Sequence, residues 1–391
     1  MEFTFSVDEE RFRHELTAFL GAQLPAGWAD RDFLGDVSPD ERRGVGDAIT
    51  AALAGQGWLA MAWAREYGGL GAGHIQQAIY TEETAYRRMP GGGGSGVASV
   101  GPAIQRFGSD AQRATYLPRI AGGIDRWCML HAEGEAGSDL ASLQTSAVRD
   151  GDEYVINGAK TWVVDAQQAT MGWLAARTDP NAAPHDGIST LIVPMDAPGV
   201  TVRPILTLVG EQDLNEVIFD EVRVPVGNLV GRENAGWYQM NATPDFERSG
   251  VGVIASAKAN VERLVAAARD DASLVGRNPA ARYELADRWI EIQVGFNVSY
   301  RVPQLQAQGV IADQEAAESK LYGAELTQRV ANTGMHLLGL AAQTTPGSRY
   351  ARLAGAFSQE YLKASTATIV GGTSEIQRNM IAQRGLGLPR N

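Results

Sequence analysis

The spacing of apolar residues changes twice along this 391-residue chain. Before about residue 125 the spacing is helical, as where Val45, Ile49 and Leu53 recur every fourth residue. From there to about Trp237 the apolar residues form short alternating runs separated by Gly and Pro. After Trp237 the helical spacing returns. The pattern therefore predicts an α+β chain with helices first, a small antiparallel β domain in the middle and helices at the end.

Several individual elements follow from the same patterns. The dipeptides Asp150-Gly151 and Asn157-Gly158 are strong hairpin-turn signals. Long helical patterns cover roughly Pro279–Gln308 and Asp313–Leu338. The strand-like runs are GWLAAR, STLIVPM, VTVRPI and NEVIFDEVRVP, and the residues predicted to share one face of the helix after Trp237 are Ile254, Val261, Leu264, Val265 and Ala268. We expect three domains: an N-terminal helical domain over 1–125, a central β domain over 126–236 and a C-terminal helical bundle over 237–391.

Composition excludes several classes of function. The net charge of −12 comes without any cluster of Lys and Arg that could neutralise phosphates, so nucleic-acid binding is not expected. Cys128 is the only cysteine, so a disulfide within the chain is impossible and a structural zinc site is not expected. No apolar run reaches the ~20 residues of a membrane span, and the first residues lack a signal-peptide pattern. We therefore expect a cytoplasmic protein without a membrane or nucleic-acid partner.

Three stretches are candidates for a functional site. In HAEGEAGSDL, the small residues from Ala136 to Ser138 would let backbone N–H groups approach a ligand closely, although a plain loop explains them too. His131 in the same stretch is a candidate base or a structural histidine. Glu247 in DFERSG is a candidate catalytic carboxylate or a surface residue. The run PGGGGSG lacks the ending of a phosphate-binding loop and is typical of a turn between helices.

Taken together, four motifs give the chain a family resemblance. EGEAGSDLASLQTSAVRDGDEYVINGAKTW, FDEVRVPVGNLVG, DFERSG and GGTSEIQR occur in the order and spacing of the acyl-CoA dehydrogenases, so the chain resembles that family over essentially its whole length. The resemblance implies an N-terminal helical domain, a central β domain and a C-terminal four-helix bundle, with FAD as cofactor. It also implies the α,β-dehydrogenation of an acyl-CoA to a trans-2-enoyl thioester, with an electron-transfer flavoprotein or another acceptor as partner and a homodimer or homotetramer as the assembly.

The resemblance also assigns roles to residues. In the commonest branch the catalytic glutamate directly precedes Gly-Thr-Ser, but that position here is Gly371. The isovaleryl-type branch places its glutamate on the first long helix of the C-terminal domain, which corresponds to Glu247. Gly371 would then keep only its backbone N–H as a donor to the enolate oxygen. The substrate-binding positions are Ser138, Asp245 and Arg248, and the matching cofactor positions include Ser138, Thr373 and Glu375.

The predicted flavin contacts depart from the family pattern at four positions. Ala132 and Val164 stand where the family has a hydroxyl residue, the latter two residues after Trp162. Met129 and His131 replace a glutamine and an aromatic residue. The two lost hydroxyls would each remove a hydrogen bond of roughly 0.5–1.5 kcal/mol to the flavin edge.

These departures leave three interpretations open. The first is an FAD-dependent acyl-CoA dehydrogenase with Glu247 as its base. The second is a flavoenzyme of the same fold with other chemistry, such as an oxidase or monooxygenase. The third is a non-catalytic partner subunit of a heteromeric dehydrogenase.

Overall fold

The computed structural model of this protein describes residues 4–242 and 249–389. Its elements follow the predicted order of helices, strands and helices, which confirms the α+β fold class. The first block contains α1 (Val7–Gln23), α2 (Trp28–Phe33), α3 (Pro39–Gly55), α4 (His74–Tyr86), α5 (Gly101–Phe107) and α6 (Asp110–Ala121). The strands are β1 (Trp127–Leu130), β2 (Ser146–Asp150), β3 (Glu153–Val164), β4 (Met171–Arg177), β5 (Ile188–Pro194), β6 (Val200–Ile205), β7 (Leu214–Pro225) and β8 (Leu229–Val230). The last block contains α7 (Gly236–Ala242), α8 (Val251–Asp270), α9 (Ser273–Arg277), α10 (Ala280–Ala307), α11 (Asp313–Leu338), α12 (Ala356–Ala367) and α13 (Ser374–Met380).

The described residues group into two compact units, each assembled from separate stretches of chain. The first unit contains residues 4–49, 72–91 and 249–389, and the second contains 50–71 and 92–242. The first unit therefore combines N-terminal helices with the C-terminal ones. The division into domains at residues 125 and 236 stays a prediction from the sequence.

The first unit is built around α11, which packs against α8, α10 and α12. The predicted apolar face of α8 is confirmed: Ile254, Val261 and Leu264 are buried, and Val265 and Ala268 pack against the same core. N-terminal helices complete this unit, since α4 packs against α8 and α10 and α1 packs against α4. The burial of one apolar face per helix is what holds these amphipathic helices together.

The first unit also contains a polar cluster between α1, α4 and α10. The guanidinium of Arg13 on α1 donates to Glu82 Oε2 on α4 at 3.0 Å and to the Tyr300 hydroxyl on α10 at 3.2 Å. The Nη1 atom of the same guanidinium donates to Glu83 Oε1 at 2.5 Å. One cation thus joins an N-terminal helix to a C-terminal helix.

The second unit contains an eight-stranded sheet in the order β6-β7-β3-β2-β4-β5-β8, with β1 paired to β4. Most pairs are antiparallel, whereas β1 and β2 each pair with β4 in parallel. One face of the sheet buries a core that includes Cys128, Leu130 and Ile156. The other face packs the side chains of Trp127, Trp173 and neighbouring residues against α5 and α6.

One predicted turn is wrong. Asp150-Gly151 does form the hairpin between β2 and β3, but Asn157-Gly158 lies within β3. The pairing of β3 with β7 shifts register between Ile156 and Gly158, which marks a β-bulge. Gly158 has φ of +141°, so the dipeptide supplies the unusual backbone of a bulge and not of a turn.

Candidate active site

A buried ion pair anchors the segment after β1 to β3. The ammonium of Lys160, which is 0% exposed, donates to Glu133 Oε1 at 2.8 Å and to the backbone carbonyl of His131 at 2.9 Å. The same carboxylate accepts the backbone N–H groups of Thr145 at 2.8 Å and Gln144 at 2.7 Å. The pair therefore ties three stretches of backbone together through charge-assisted hydrogen bonds.

The two members of this pair have shifted pKa values. Burial lowers the pKa of Lys160 to about 8, against the opposing effect of the Glu133 carboxylate. Burial raises the pKa of Glu133, but the Lys160 ammonium and the hydrogen bonds to the carboxylate outweigh it, so the net pKa lies below its usual value. Both groups are therefore charged at neutral pH.

His131 follows β1 with an imidazole that is mostly enclosed. Its Nε2 atom is buried and has no hydrogen-bond partner within the described residues. Burial lowers the pKa of His131 to about 3, and the charge of Lys160 adds to the shift. The ring is thus neutral at physiological pH, and Nε2 is able to donate or accept one hydrogen bond depending on the tautomer. Met129 precedes it on β1 and packs beside Trp127 and Trp173.

The turn that begins at Ala132 is held in a fixed conformation by its backbone. The Ala132 carbonyl accepts the N–H of Thr161 on β3 at 2.9 Å. Glu133 and Ala136 exchange two backbone hydrogen bonds of 3.1 and 3.2 Å, which close the turn. Ser138 lies just beyond that closure and is exposed, so it is available to contact a ligand.

The end of β3 presents two apolar side chains to solvent. The register with β7 shifts between Lys160 and Val163, and Trp162 there has a left-handed backbone with φ of +58°. Trp162 is 58% exposed and Val164 is 55% exposed, whereas Val163 between them is 2% exposed. An exposed tryptophan in such a backbone is a candidate for a functional residue. Its flat apolar surface suits a flat ring such as a flavin.

The GGTSEIQR motif forms a turn and the first residues of α13 in the first unit. Gly371 and Gly372 have φ of +69° and +90°. The Thr373 hydroxyl caps α13 by accepting the N–H of Ile376 at 3.2 Å. Glu375 lies exposed in the first turn of that helix. Among the described residues, no atom lies within 4 Å of a Cβ built at Gly371, so these residues leave the space beside this glycine open.

The DFER motif falls outside the described residues, which leaves Asp245, Glu247 and Arg248 as predictions from the sequence. The residue that follows them is held firmly. The hydroxyl of Ser319 on α11 donates to the Ser249 carbonyl at 2.5 Å and lies 2.9 Å from the hydroxyl of Ser299 on α10. Ser249, which connects this motif to α8, is therefore both buried and hydrogen-bonded.

The structure thus places the predicted residues in two groups, one in each unit. Met129, His131, Ala132, Ser138, Trp162 and Val164 lie on two linked segments of the second unit, and Gly371, Thr373 and Glu375 lie on one turn of the first. Sequence reasoning missed Glu133 and Lys160, although both lie within the quoted motifs. The sequence does carry a signal for this pair, since Lys160 lies on a strand next to inward-facing apolar residues. A lysine that is buried in such a strand requires a charged partner.

Among residues 4–242 and 249–389, no group of three or more His, Cys, Asp and Glu side chains could hold a metal ion. None of the helices described is both long and apolar enough to cross a membrane.

Comparisons with known proteins cover nearly the whole chain. Three family models match in order: "Acyl-CoA dehydrogenase, N-terminal domain" at residues 6–124, "middle domain" at 128–222 and "C-terminal domain" at 234–386. A curated relative, acyl-CoA dehydrogenase FadE26 of Mycobacterium tuberculosis, is 34% identical over 409 residues, covering 100% of this chain and 99% of its own. The solved structure of the Tcur3481-Tcur3483 steroid ACAD is 33% identical with a TM-score of 0.89 over 100% of both chains. The ChsE4-ChsE5 complex from M. tuberculosis is 33% identical with a TM-score of 0.87, again over 100% of both chains.

Proposed function

The chain belongs to the acyl-CoA dehydrogenase family, and we propose from that premise that it converts an acyl-CoA to the trans-2-enoyl thioester. It is an acyl-CoA dehydrogenase, and the members of this family are FAD-dependent flavoproteins. The observation that carries the proposal is the match of all three family domains, in order, over residues 6–386.

The residues of the second unit fit a flavin. Trp162 and Val164 would offer their exposed apolar faces to the ring. The Nε2 atom of His131, which has no partner among the described residues, would supply one hydrogen bond. Met129, Ala132 and Ser138 would complete the flavin contacts of this unit, whereas the cofactor contacts of Thr373 and Glu375 stay predictions from the sequence. When bound, FAD accepts the two electrons that leave the acyl group.

We assign the base to Glu247. Its carboxylate would take the α proton of the thioester, as the placement in the isovaleryl-type branch implies, while Gly371 would donate its backbone N–H to the enolate oxygen. The open space at Gly371 supports this division of roles, because a residue without a side chain leaves room for a carboxylate from elsewhere. Asp245 and Arg248 would bind the CoA portion.

The substitution Glu247→Gln tests the assignment. We expect a folded protein that still binds FAD and acyl-CoA but reduces its flavin about 10²–10⁴-fold more slowly, the usual contribution of a general base. Stopped-flow bleaching of the flavin near 450 nm under anaerobic conditions is the measurement. Glu10→Gln on the exposed side of α1 is the control, and equal rates in the two variants would exclude Glu247 as the base.

A double variant tests whether the two positions face the same α carbon. Glu247→Gly with Gly371→Glu should recover part of the activity lost in Glu247→Gly alone. The φ of +69° at position 371 opposes a side chain there by about 1–2 kcal/mol, so we expect the recovery to be incomplete. An inactive double variant that binds FAD and acyl-CoA normally would contradict this placement.

Two solved relatives support a narrower proposal on substrate and assembly. The name of each structure gives two components, Tcur3481-Tcur3483 in one and ChsE4-ChsE5 in the other. The first of these structures is named a steroid ACAD. We propose that this chain works with a second, related chain on a bulky polycyclic acyl-CoA, with an electron-transfer flavoprotein as electron acceptor. Co-purification followed by mass measurement, and anaerobic titration with straight-chain, branched and steroid acyl-CoAs, would test both parts. A stable homotetramer that straight-chain acyl-CoAs reduce at full rate would contradict them, in favour of the homo-oligomer predicted from the sequence.

A further inference from the structure

We propose that Lys160 and Glu133 are positioning residues for FAD, whose ion pair fixes the two backbone segments that carry the predicted flavin contacts. The inference rests on the proposed function, since it concerns the same flavin site. Neither side chain is itself assigned a contact with the cofactor. Their role is to hold other residues in place.

The geometry of the pair gives the first argument. One segment carries His131 and Ala132, and the other carries Trp162 and Val164. Lys160 Nζ reaches the carbonyl of His131 at 2.9 Å, directly joining the first segment to the second. Lys160 Nζ also donates to Glu133 Oε1 at 2.8 Å, and the Thr161 N–H donates to the Ala132 carbonyl at 2.9 Å. Removing the Lys160 ammonium therefore removes both side-chain links and leaves the backbone bond of Thr161.

The energetics of burial give the second argument. An ammonium that is 0% exposed is costly to bury, and an apolar side chain of similar length would often be neutral or stabilising in its place. Because stability does not require the charge of Lys160, we infer that the charge serves to fix the geometry of the two backbone segments. Glu133 supports this, because its carboxylate also accepts the backbone N–H groups of Gln144 and Thr145 and so sets the far end of the same turn.

The charged surroundings of Lys160 predict a pH dependence. The groups that act on it are the Glu133 carboxylate and the Arg177 guanidinium, and His131 faces it as a neutral ring. Arg177 donates to the carbonyls of Ala141 at 2.6 Å and Pro184 at 2.8 Å, and its charge helps to lower the pKa of Lys160. Loss of the Lys160 proton near pH 8 would leave the Glu133 carboxylate without its cation, so FAD binding should weaken as pH rises through that value.

The test compares Lys160→Met with Arg119→Met. Arg119 also forms an ion pair with a buried carboxylate in the second unit, with two 2.7 Å bonds to Asp125, but it has no contact with the predicted flavin residues among its described bonds. Apoprotein is titrated with FAD, and amide hydrogen exchange is followed on the same samples without FAD. We expect Lys160→Met to raise the FAD Kd by about 10- to 100-fold, as when residues that orient ligands are changed. Exchange should accelerate at Gln144, Thr145 and Thr161, and Arg119→Met should change neither readout at these positions.

A neutral pair keeps the test decisive if the single variant does not fold. Lys160→Met combined with Glu133→Gln leaves no unpaired buried charge, and the amide oxygen of Gln can still accept a backbone N–H. We expect the same weak FAD binding, and a Kd that no longer changes between pH 7 and pH 9. An FAD Kd and exchange rates equal to those of the wild type would overturn the inference while leaving the proposed function intact. A wild-type protein that binds no FAD would overturn both.

Discussion

At the scale of single residues, the ionisation of His131 is linked to folding. Its pKa is about 3 in the folded protein and near 6.5 when exposed, so below pH 6.5 the unfolded chain binds a proton that the folded chain does not. The stability it contributes is complete above pH 6.5 and is lost as pH falls towards 3. We expect the free energy of unfolding to fall by up to about 1.4 kcal/mol per pH unit in this range.

Urea unfolding at several pH values would measure this slope. His131→Gln should remove that part of it. An unchanged slope in His131→Gln would show that other groups cause the acid sensitivity.

A second prediction at this scale concerns the missing hydroxyl at position 164. Val164 is 55% exposed at the end of β3, so a threonine fits there without repacking the core. Val164→Thr should strengthen FAD binding by up to about 10-fold or raise the flavin reduction potential, since it restores a hydrogen bond of about 0.5–1.5 kcal/mol. Val148→Thr on β2, where the side chain is 62% exposed, is the matched control. If both variants behave like the wild type, the departures at the flavin edge have no effect on the cofactor.

At the scale of elements, local patterns predicted the helices well and failed where distant contacts decide. The pattern over Asp313–Leu338 matches α11 at both ends, because one buried face repeats along its whole length. Asn157-Gly158 carries the same local signal as a hairpin turn. Its structure is set by pairing with β7 and by contact with Thr145, which the local sequence does not contain. The partner of Lys160, 27 residues away, was hidden for the same reason.

The bulge at Gly158 leads to a prediction for β3. An added Cβ would lie 2.7 Å from Thr145 Cα, and the φ of +141° is unfavourable for any other residue. Gly158→Ala should lower the free energy of unfolding by more than about 1 kcal/mol. Gly21→Ala on α1, where an added Cβ meets nothing within 4 Å, should be neutral or slightly stabilising. Thermal unfolding of the two variants would check this, and equal melting temperatures would contradict it.

At the scale of the whole molecule, the first unit depends on contacts between the two ends of the chain. Arg13 on α1 pairs with Glu82 and Glu83, and its removal would leave two carboxylates without this cation. Because these side chains are only partly buried, we expect Arg13→Met to cost about 1–3 kcal/mol. Arg11→Met is the control, since its pair with Asp8 is largely exposed.

Hydrogen exchange would show where the loss is felt. In Arg13→Met, exchange should accelerate in α1, α4 and α10 and remain unchanged in the sheet of the second unit. Equal acceleration in both units would contradict a local role for Arg13.

The distance along the chain between Arg13 and its partner Tyr300 also affects folding during synthesis. Arg13 and the Tyr300 hydroxyl are separated by 287 residues. At about 5–20 residues per second, Arg13 on α1 waits roughly 15–60 s for Tyr300 on α10 to be synthesised. The part of α4 that packs against α10 is uncovered during that interval, although α1 and α8 also pack against α4, and a chain that stops before α10 leaves that part uncovered. Truncated or slowly translated forms of this protein should therefore aggregate or recruit chaperones through their first helices.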